Sequence, residues 1–599
     1  MFFRKCLLAI AGGILVTASA HATVYAVGCN GIYSLYDAIN AAVADPDGPH
    51  LIKLPNSHNY ILSQEDIVDP AADITIEGGY QNCSDAQPVA GQYSTLTNNT
   101  PAATTRLLYL SNALANPRRS ITLRHLHLTG GSLPGNVLGG GAIYAQYNLD
   151  LNLDDVQIDH NSAENGGGIS LLNLSTNSAT QTVLHISDNT RISDNQATGT
   201  SNTNGNGGGI YAYGAVHIVF ADGHVQGNSA RRAGGGIAVR STSARLDFEP
   251  APGNVIYIDG NTAGRATFAS NEGFGGGVYS ENANIGTSIA GVRNAFQMYF
   301  LTNTANYGGA IYVQGDPAAS APFTFVSLRN ALMYSNEALG KGGALYSSDA
   351  VDWNIDHQAT GQCDFFGPVV CSLFLDNFAD NTTTHGTPGG GAIYLTSEVG
   401  SQRGIARVKR TKFNGNSDPN GWVAVGAADN DNEFLVQRSI FVNNHAPTAN
   451  YSVLLHASGP THVYYSDMLA NSVSALFDIS GATLNVQGSI FANPAGQIWF
   501  HSFGATMVHN NCLLSNHAGD IPAGAQIGSP LLDGQYAPTV HSPALDSCNN
   551  SQHTPISDIY GHAVVDVPGI DNIHGANDLG AVEQTDIIFV GGFGTRPTD

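Results

Sequence analysis

The amino-acid sequence predicts an all-β chain wound into a parallel β-helix, and three recurring patterns carry that prediction. Glycine clusters followed by a short apolar strand occur eight times. They read Gly139-Gly-Gly-Ala-Ile-Tyr144, Gly166-Gly-Gly-Ile169, Gly207-Gly-Gly-Ile-Tyr211, Gly234-Gly-Gly-Ile237, Gly275-Gly-Gly-Val-Tyr279, Gly308-Gly-Ala-Ile-Tyr312, Gly342-Gly-Ala-Leu-Tyr346 and Gly389-Gly-Gly-Ala-Ile-Tyr394. Most are accompanied by an Asn-x-Ala step, at Asn161, Asn195, Asn228, Asn261, Asn303, Asn336 and Asn377, which returns every 33 to 42 residues. An apolar residue, two variable residues and Asn mark the same corner, as in Ile158…Asn161, Ile192…Asn195, Val225…Asn228, Ile258…Asn261, Phe300…Asn303, Met333…Asn336 and Phe374…Asn377. That third pattern outlives the glycine clusters as Phe413…Asn416, Phe441…Asn444, Met468…Asn471 and Leu513…Asn516.

A repeat of this period implies coils that bury their apolar face only against their neighbours. Helical repeats of similar length are excluded, because helix-forming stretches are missing and glycine breaks them. Propeller signatures are absent. A strand that turns sharply into another needs residues tolerant of positive φ, which Gly and Asn are. Glycine pairs let adjacent coils approach closely. Identical Asn residues at one corner can bond in a ladder between layers ~4.8 Å apart, with the Ile and Phe positions stacked inside. About fourteen rungs at that spacing make a rod ~65 Å long.

From the N-terminus, residues 1–22 read as a signal peptide: Arg4 and Lys5, an apolar stretch Leu7 to Val16, then Ala20-His21-Ala22. Residues 23–70 are expected to form an N-terminal cap whose helix spans Tyr33 to Val43, with Ser34 as N-cap. The repeats occupy 71–540, with strands at Asp73–Tyr80, Ser120–Leu123, Leu126–Leu128, Leu151–Leu153, Val216–Phe220 and Val255–Ile258. Residues 541–599 form a closing segment and tail, including Ile587-Ile-Phe-Val-Gly-Gly-Phe593 as a terminal strand or signal. No segment after the signal reaches the ~18–20 apolar residues of a membrane-spanning helix.

Charge narrows the partners. Charged residues are only 12% of the chain and the net charge is −24. That excludes a nucleic-acid interface, which needs clustered Lys and Arg, and disfavours an anionic membrane surface. Apolar residues at 42% exceed what a disordered chain carries, despite 70 glycines. Six cysteines follow the signal, an even number that favours disulfides in an exported chain. Proximity along the chain pairs Cys29 with Cys83, Cys363 with Cys371 and Cys512 with Cys548.

The pairing of Gly308-Gly-Ala-Ile-Tyr312 with Phe300-Leu-Thr-Asn303 resembles the repeats of chlamydial-type polymorphic outer membrane proteins. The resemblance is dense from Gly139 to Tyr394 and looser to Asn516. It implies a right-handed, pectin-lyase-like β-helix exposed at a bacterial cell surface. The stretch Glu77-Gly-Gly-Tyr-Gln-Asn-Cys83 looks like the capped start of exported β-helix proteins. The autotransporter barrel of that family has no counterpart after Asn516, where Ser542-Pro-Ala-Leu-Asp546 and Asp578-Leu-Gly-Ala-Val-Glu583 resemble a closing segment instead.

The glycine clusters are not phosphate loops, because a strand follows them where such loops need a helix. The best local cluster for chemistry is Arg403, Arg407, Lys409 and Arg410, with Asp429, Asp431 and Glu433 downstream. Residues two apart on a strand share a face, so Arg407 and Lys409 form one cationic patch. Aligning the Phe413 and Phe441 corners sets Leu435 beside Arg407 and Arg438 beside Arg410, with the acids in the connecting loop. His125 and His127 alternate on one strand and offer two metal ligands without a third. The acidic run Asp429-Asn-Asp-Asn-Glu433 suits weak calcium binding and lacks the twelve-residue loop pattern. No residue is assigned a catalytic, cofactor-binding or metal role. The expectation is an exported monomer that binds a polysaccharide or cell-surface ligand without catalysis, as an adhesin does. The alternative is a polysaccharide lyase or glycoside hydrolase.

Overall fold

The computed structural model describes residues 23–583, apart from 29–33, 58, 99–103, 176, 265–271, 289–295, 319–322, 357–370, 381–388, 399–401, 447–451, 494–497, 510–511, 517–523, 546, 549–556 and 561–576. The expected signal peptide and the 587–593 strand lie outside the described residues.

Each coil lays down strands in a fixed order. Leu149–Asp154 enters sheet I, Gln157–Asp159 sheet II, Ser162–Ala163 sheet III and Ile169–Asn173 sheet IV, before Thr182–Ser187 returns to sheet I. Neighbouring coils pair in parallel and in register, Leu151 with Ile121 and Leu184, Ile158 with Leu128 and Ile192. The resulting sheets have 16, 16, 8 and 14 strands. The protein is a right-handed parallel β-helix. The expected strands are present, with Asp73–Tyr80 observed as Ile74–Tyr80 and Val255–Ile258 as Ile256–Asp259. Alternation sets the inside: Leu149, Leu151 and Leu153 are buried while Asp150, Asn152 and Asp154 face outward.

The interior is one continuous column. Ile192, Val225, Ile258, Phe300, Met333, Phe374, Phe413, Phe441, Met468 and Phe491 lie in register down sheet II, each at most 1% exposed. Phe374, Phe413 and Phe441 stack at 4.8 Å, so each ring fills the space left by the coil pitch. Burying one such side chain contributes about 1.5–3 kcal/mol.

At the corner between sheets II and III the asparagines form the expected ladder. Asn161 Nδ2 donates to Asn195 Oδ1 at 3.0 Å, and the pattern continues through Asn228, Asn261, Asn303, Asn336, Asn377, Asn416, Asn444 and Asn471. Each of these Oδ1 atoms after Asn161 also accepts the backbone N–H of the preceding asparagine, and each Nδ2 also donates to a strand carbonyl of the preceding coil, as Asn303 does to Ile258 O. The amide is thereby fully used in a dry corner. Two details differ from expectation. The left-handed residue is the one before the asparagine, for example Gly227, Gly260, Thr302 or Asp376, so Asn serves here for hydrogen bonding and not for its φ. The ladder also ends at Asn493, which accepts from Asn471, while Asn516 donates to the Asn493 carbonyl instead. The reason is register: Phe491 pairs with Met468 but stands two residues before its asparagine, not three.

The Asn-x-Ala step is sheet III itself, with the alanine buried, as in Ser229–Ala230 and Thr262–Ala263. Glycine follows where coils touch: a Cβ on Gly208 would lie 2.2 Å from the Gly235 carbonyl oxygen, and Gly207 sits at φ +66°. After each cluster the aliphatic residue points inward and, in the six clusters that have one, the tyrosine points outward, where Tyr279, Tyr312, Tyr346 and Tyr394 pile at 4.8–5.6 Å beneath Phe274 and Tyr307.

The α-helix spans Leu35–Ala44, with Ser34 Oγ accepting from Asp37 N at 3.1 Å. It starts later than expected, and Tyr33 lies outside the described residues. Leu35, Ala38, Ile39 and Ala42 face the first coil. At the other end, parts of 530–583 fold back along the outer face of sheet II, where Ala544, Ile559, Leu579 and Val582 cover Ile440, Leu469, Ile490 and Leu514. The Arg438 guanidinium, 1% exposed, bonds Glu583 at 2.6 Å and Gly580 O at 3.1 Å and lies over Tyr465. The Cys512–Cys548 disulfide ties the closing segment to sheet II. Cys83 and Cys371 are each disulfide-bonded, while Cys29 and Cys363 lie outside the described residues.

Replacing Asn303 by Ala should lower stability by about 3 kcal/mol or more, because it takes the acceptor from the buried Asn261 N–H and Nδ2–H and the donor from Ile258 O and Asn336 Oδ1. Urea denaturation followed by circular dichroism measures this, and Asn303→Asp should not rescue, since a carboxylate cannot donate. Glu583→Ala should cost about 3–5 kcal/mol by leaving Arg438 buried and unpaired. It should free the closing segment, seen as new protease cleavage beyond residue 530, while the coil array stays resistant.

Candidate functional site

The strands Thr324–Arg329, Val351–Asp356 and Ile405–Lys409 are neighbours in sheet I. Their buried residues Val326, Trp353 and Ala406 fill the interior. Period-2 alternation then sends Phe325, Ser327, Asp352, Asn354, Arg407 and Lys409 to the outer face. These residues line a shallow cleft of about 400 Å³. Phe325 is 54% exposed, unusual for a phenyl ring. Arg407 bonds Asp352 through Nη1, and Arg410 bonds Asp356 at 2.8 Å.

Arg407 and Lys409 thus share one face, as expected. Leu435 pairs with Arg407 and sits in the next coil. Arg410 and Arg438 occupy equivalent corners at φ +48° and +49°, but their side chains part, Arg410 to Asp356 and Arg438 to the closing segment. The acids are placed differently from the loop reading in one respect: Glu433 opens the strand Glu433–Gln437 opposite Ile405. Asp429 and Asp431 are in the turn, and Asp431 bonds Arg403 at 3.1 Å. The acids that meet Arg407 and Arg410 come from the preceding coil, 55 and 54 residues upstream. Sequence reasoning missed them because a long insertion separates those coils; the alternation in Val351-Asp-Trp-Asn-Ile-Asp356 was the available signal.

The other candidates disperse. His125 is a corner residue at φ +50°, not a strand residue, and lies 3.7 Å from Glu77. His127 turns to Asp159 at 2.9 Å, so the two imidazoles address different carboxylates. In the run 429–433, Asn430 donates to Ser397 O, Asp431 bonds Arg403 and Asn432 accepts from Gly404 N. Those oxygens point to separate partners and not to one centre.

Asp429 instead joins a chain of ionisable groups on the outer face of sheet IV that the sequence did not signal. Lys341 Nζ donates to Tyr394 Oη at 2.7 Å, and Tyr394 donates to Asp429. His456 lies 3.3 Å from Asp429 and 3.0 Å from Asp478, beneath the edge-on ring of Trp422. Burial alone would lower the His456 pKa, but the bonds to both carboxylates hold it up at about 9. Burial raises the Tyr394 hydroxyl, and Asp429 beside it raises it further. Burial lowers Lys341. An imidazolium bonded at both nitrogens has no lone pair to act as base near neutrality. The chain is a clamp across coils.

No family model matches this chain, so the resemblance to polymorphic outer membrane proteins rests on its repeat residues. No curated protein matches either. Among solved structures it is similar to one described as "Crystal structure of Dettilon tailspike protein (gp208)", at 14% identity and a TM-score of 0.28. The match covers 85% of this chain and 66% of that one. A likeness at that level says nothing of ligand or activity. Among the described residues, no helix is long and apolar enough to cross a membrane.

His456 titrates at about 9 in the fold against 6.5 when free, so its contribution to stability is complete below pH 6.5 and is lost as pH rises through about 9. The melting temperature should therefore fall more steeply across pH 6.5–9 in the wild type than in His456→Gln. Equal slopes by differential scanning calorimetry would contradict the clamp.

Proposed function

We propose that this is an exported bacterial binding protein, at the cell surface or released, that holds a saccharide-bearing surface ligand against sheet I without chemistry. The observation that carries the reading is the exposed Phe325 ring beside a cleft of oriented polar groups. A half-bare aromatic face suits the C–H face of a sugar, and a few fixed amides, hydroxyls and charges set its orientation. Lys409, without an ion pair among the described residues, supplies a charge that a carboxylated sugar can meet. The disulfide between Cys512 and Cys548 supports an oxidising location. In this reading the array 71–540 is the binding unit, and 23–70 and 541–599 close its ends and flank.

Two features support binding over cleavage. Asp352 and Asp356 are each engaged by a guanidinium, so neither carboxylate is held free toward a bound sugar as an acid–base pair would be. They also stand four residues apart on one strand, about 13 Å, beyond the spacing of acid–base pairs that work on one glycosidic bond.

A panel of purified polysaccharides, followed for retention, reducing ends and ultraviolet-absorbing unsaturated products, tests this. Retention without products is expected, with Phe325→Ala weakening it about ten-fold or more and Lys409→Ala weakening chiefly the acidic polymers. Product formation would overturn the binding reading in favour of a lyase or hydrolase.

A further inference from the structure

The first coil breaks the pattern of the coils that follow it. Down sheet IV, the inward position holds Leu108, Ile143, Ile169 and Ile210 in register, all fully buried. At the N-terminal end that same position is Glu65, paired with Leu108. Down sheet II the inward column of Leu96 and Leu128 likewise ends in Tyr60. Two polar side chains therefore close the apolar column at its N-terminal end.

They face a cavity of about 940 Å³ at this end, lined by Leu35, Tyr36, Tyr60, Ile61, Glu65 and Asn82 among others. Tyr36 and Ile61 are each 60% exposed at its rim. Glu65 is 6% exposed, and its Oε2 is buried with no hydrogen-bond partner among the described residues. A buried carboxyl oxygen without a hydrogen bond is costly. Such a group in a cavity is a candidate for ligand contact.

Two further carboxylates stand near Glu65. Asp66 is its neighbour on the same strand, and Asp37 of the helix is bonded to Ser34. Burial, then Asp66 and Asp37, raise Glu65 to about 7. The cations nearby are turned elsewhere: Arg106 lies over Tyr109 and Tyr144, and Lys53 reaches Asp85 O and the Tyr80 ring. A carboxyl floor with tyrosine rings at hand is a cation–π and ion-pair setting for a compact ammonium group. The amide and hydroxyl groups of Ser57, Asn59, Gln81 and Asn82 on the same wall suit a ligand that also carries hydroxyls.

We infer that this end cavity is a binding site for a small hydroxylated ammonium compound of the amino-sugar type, with Glu65 as its charge partner. The site is separate from the cleft on sheet I and does not depend on it. Binding pairs the ammonium with the Glu65 carboxylate, so a proton leaves the protein whenever Glu65 starts protonated.

Glucosamine, glucose and glucuronate share one ring shape and differ in charge. Calorimetric titration of the full chain at pH 6, in two buffers of different ionisation enthalpy, reads both affinity and proton release. Glucosamine should bind about ten-fold or more tighter than glucose, with glucuronate weakest, and should release a proton. Glu65→Gln should abolish the release and weaken glucosamine about ten-fold, with an unchanged melting temperature. If that variant misfolds, Tyr36→Ala at the exposed rim should still weaken glucosamine selectively. No glucosamine binding to the folded protein, equal binding of glucose, or release that persists in Glu65→Gln would each overturn the site.

Discussion

Each coil of this protein is too thin to bury anything alone, so the whole structure depends on coils holding a common register. The interaction that enforces it is the asparagine ladder. From Asn161 to Asn471 every asparagine at the corner between sheets II and III donates both its side-chain Nδ2–H and its backbone N–H to the asparagine Oδ1 of the next coil, ending at Asn493. A slip by one residue would expose the aliphatic columns to water and strand these amides at once, so the two penalties act on the same displacement. The stacked phenylalanines at 4.8 Å and the glycine contacts that admit no Cβ are possible only because that register is kept.

Once the corner is locked, freedom remains only on the outside. Outward positions in sheet I carry Asp, Asn, Arg, Lys and one bare phenyl ring, whereas those in sheet IV carry the tyrosine pile and the clamp from Lys341 to Asp478. The flank of sheet II is occupied near the C-terminal end by the closing segment, held by Arg438 and Glu583 in a dry contact. Three outer faces of one rod thus have three different chemistries, although all are built from the same coil. Residues that differ from coil to coil there are under no demand from stacking.

The two ends are different again, because an end coil has a neighbour on one side only. At the N-terminal end an amphipathic helix covers part of the column, and Glu65 and Tyr60 take positions that are aliphatic in the coils next to them. A carboxyl is tolerated there because the cavity beside it is not filled by a further coil. The same substitution in the middle of the rod would bury a charge between two apolar layers.

The sequence by itself determined the repeat, the β-helix, the inward columns, the ladder and the helix with its Ser34 cap. Those features recur every coil or depend on a few adjacent residues, so local pattern and spacing suffice to read them. It did not disclose the left-handed residue before each asparagine, because Gly260, Thr302 and Asp376 share the conformation but no chemistry. Nor did it disclose the shortened final step to Asn493, where one residue fewer hides the corner. The pairing of Arg407 with Asp352, the clamp at His456 and the docking of Glu583 on Arg438 were decided only in three dimensions. Each joins residues from different coils, and insertions of uneven length erase any fixed spacing between them. In a solenoid the lateral neighbour of a side chain is one coil away in space but dozens of residues away in the chain, and only the folded register says how many.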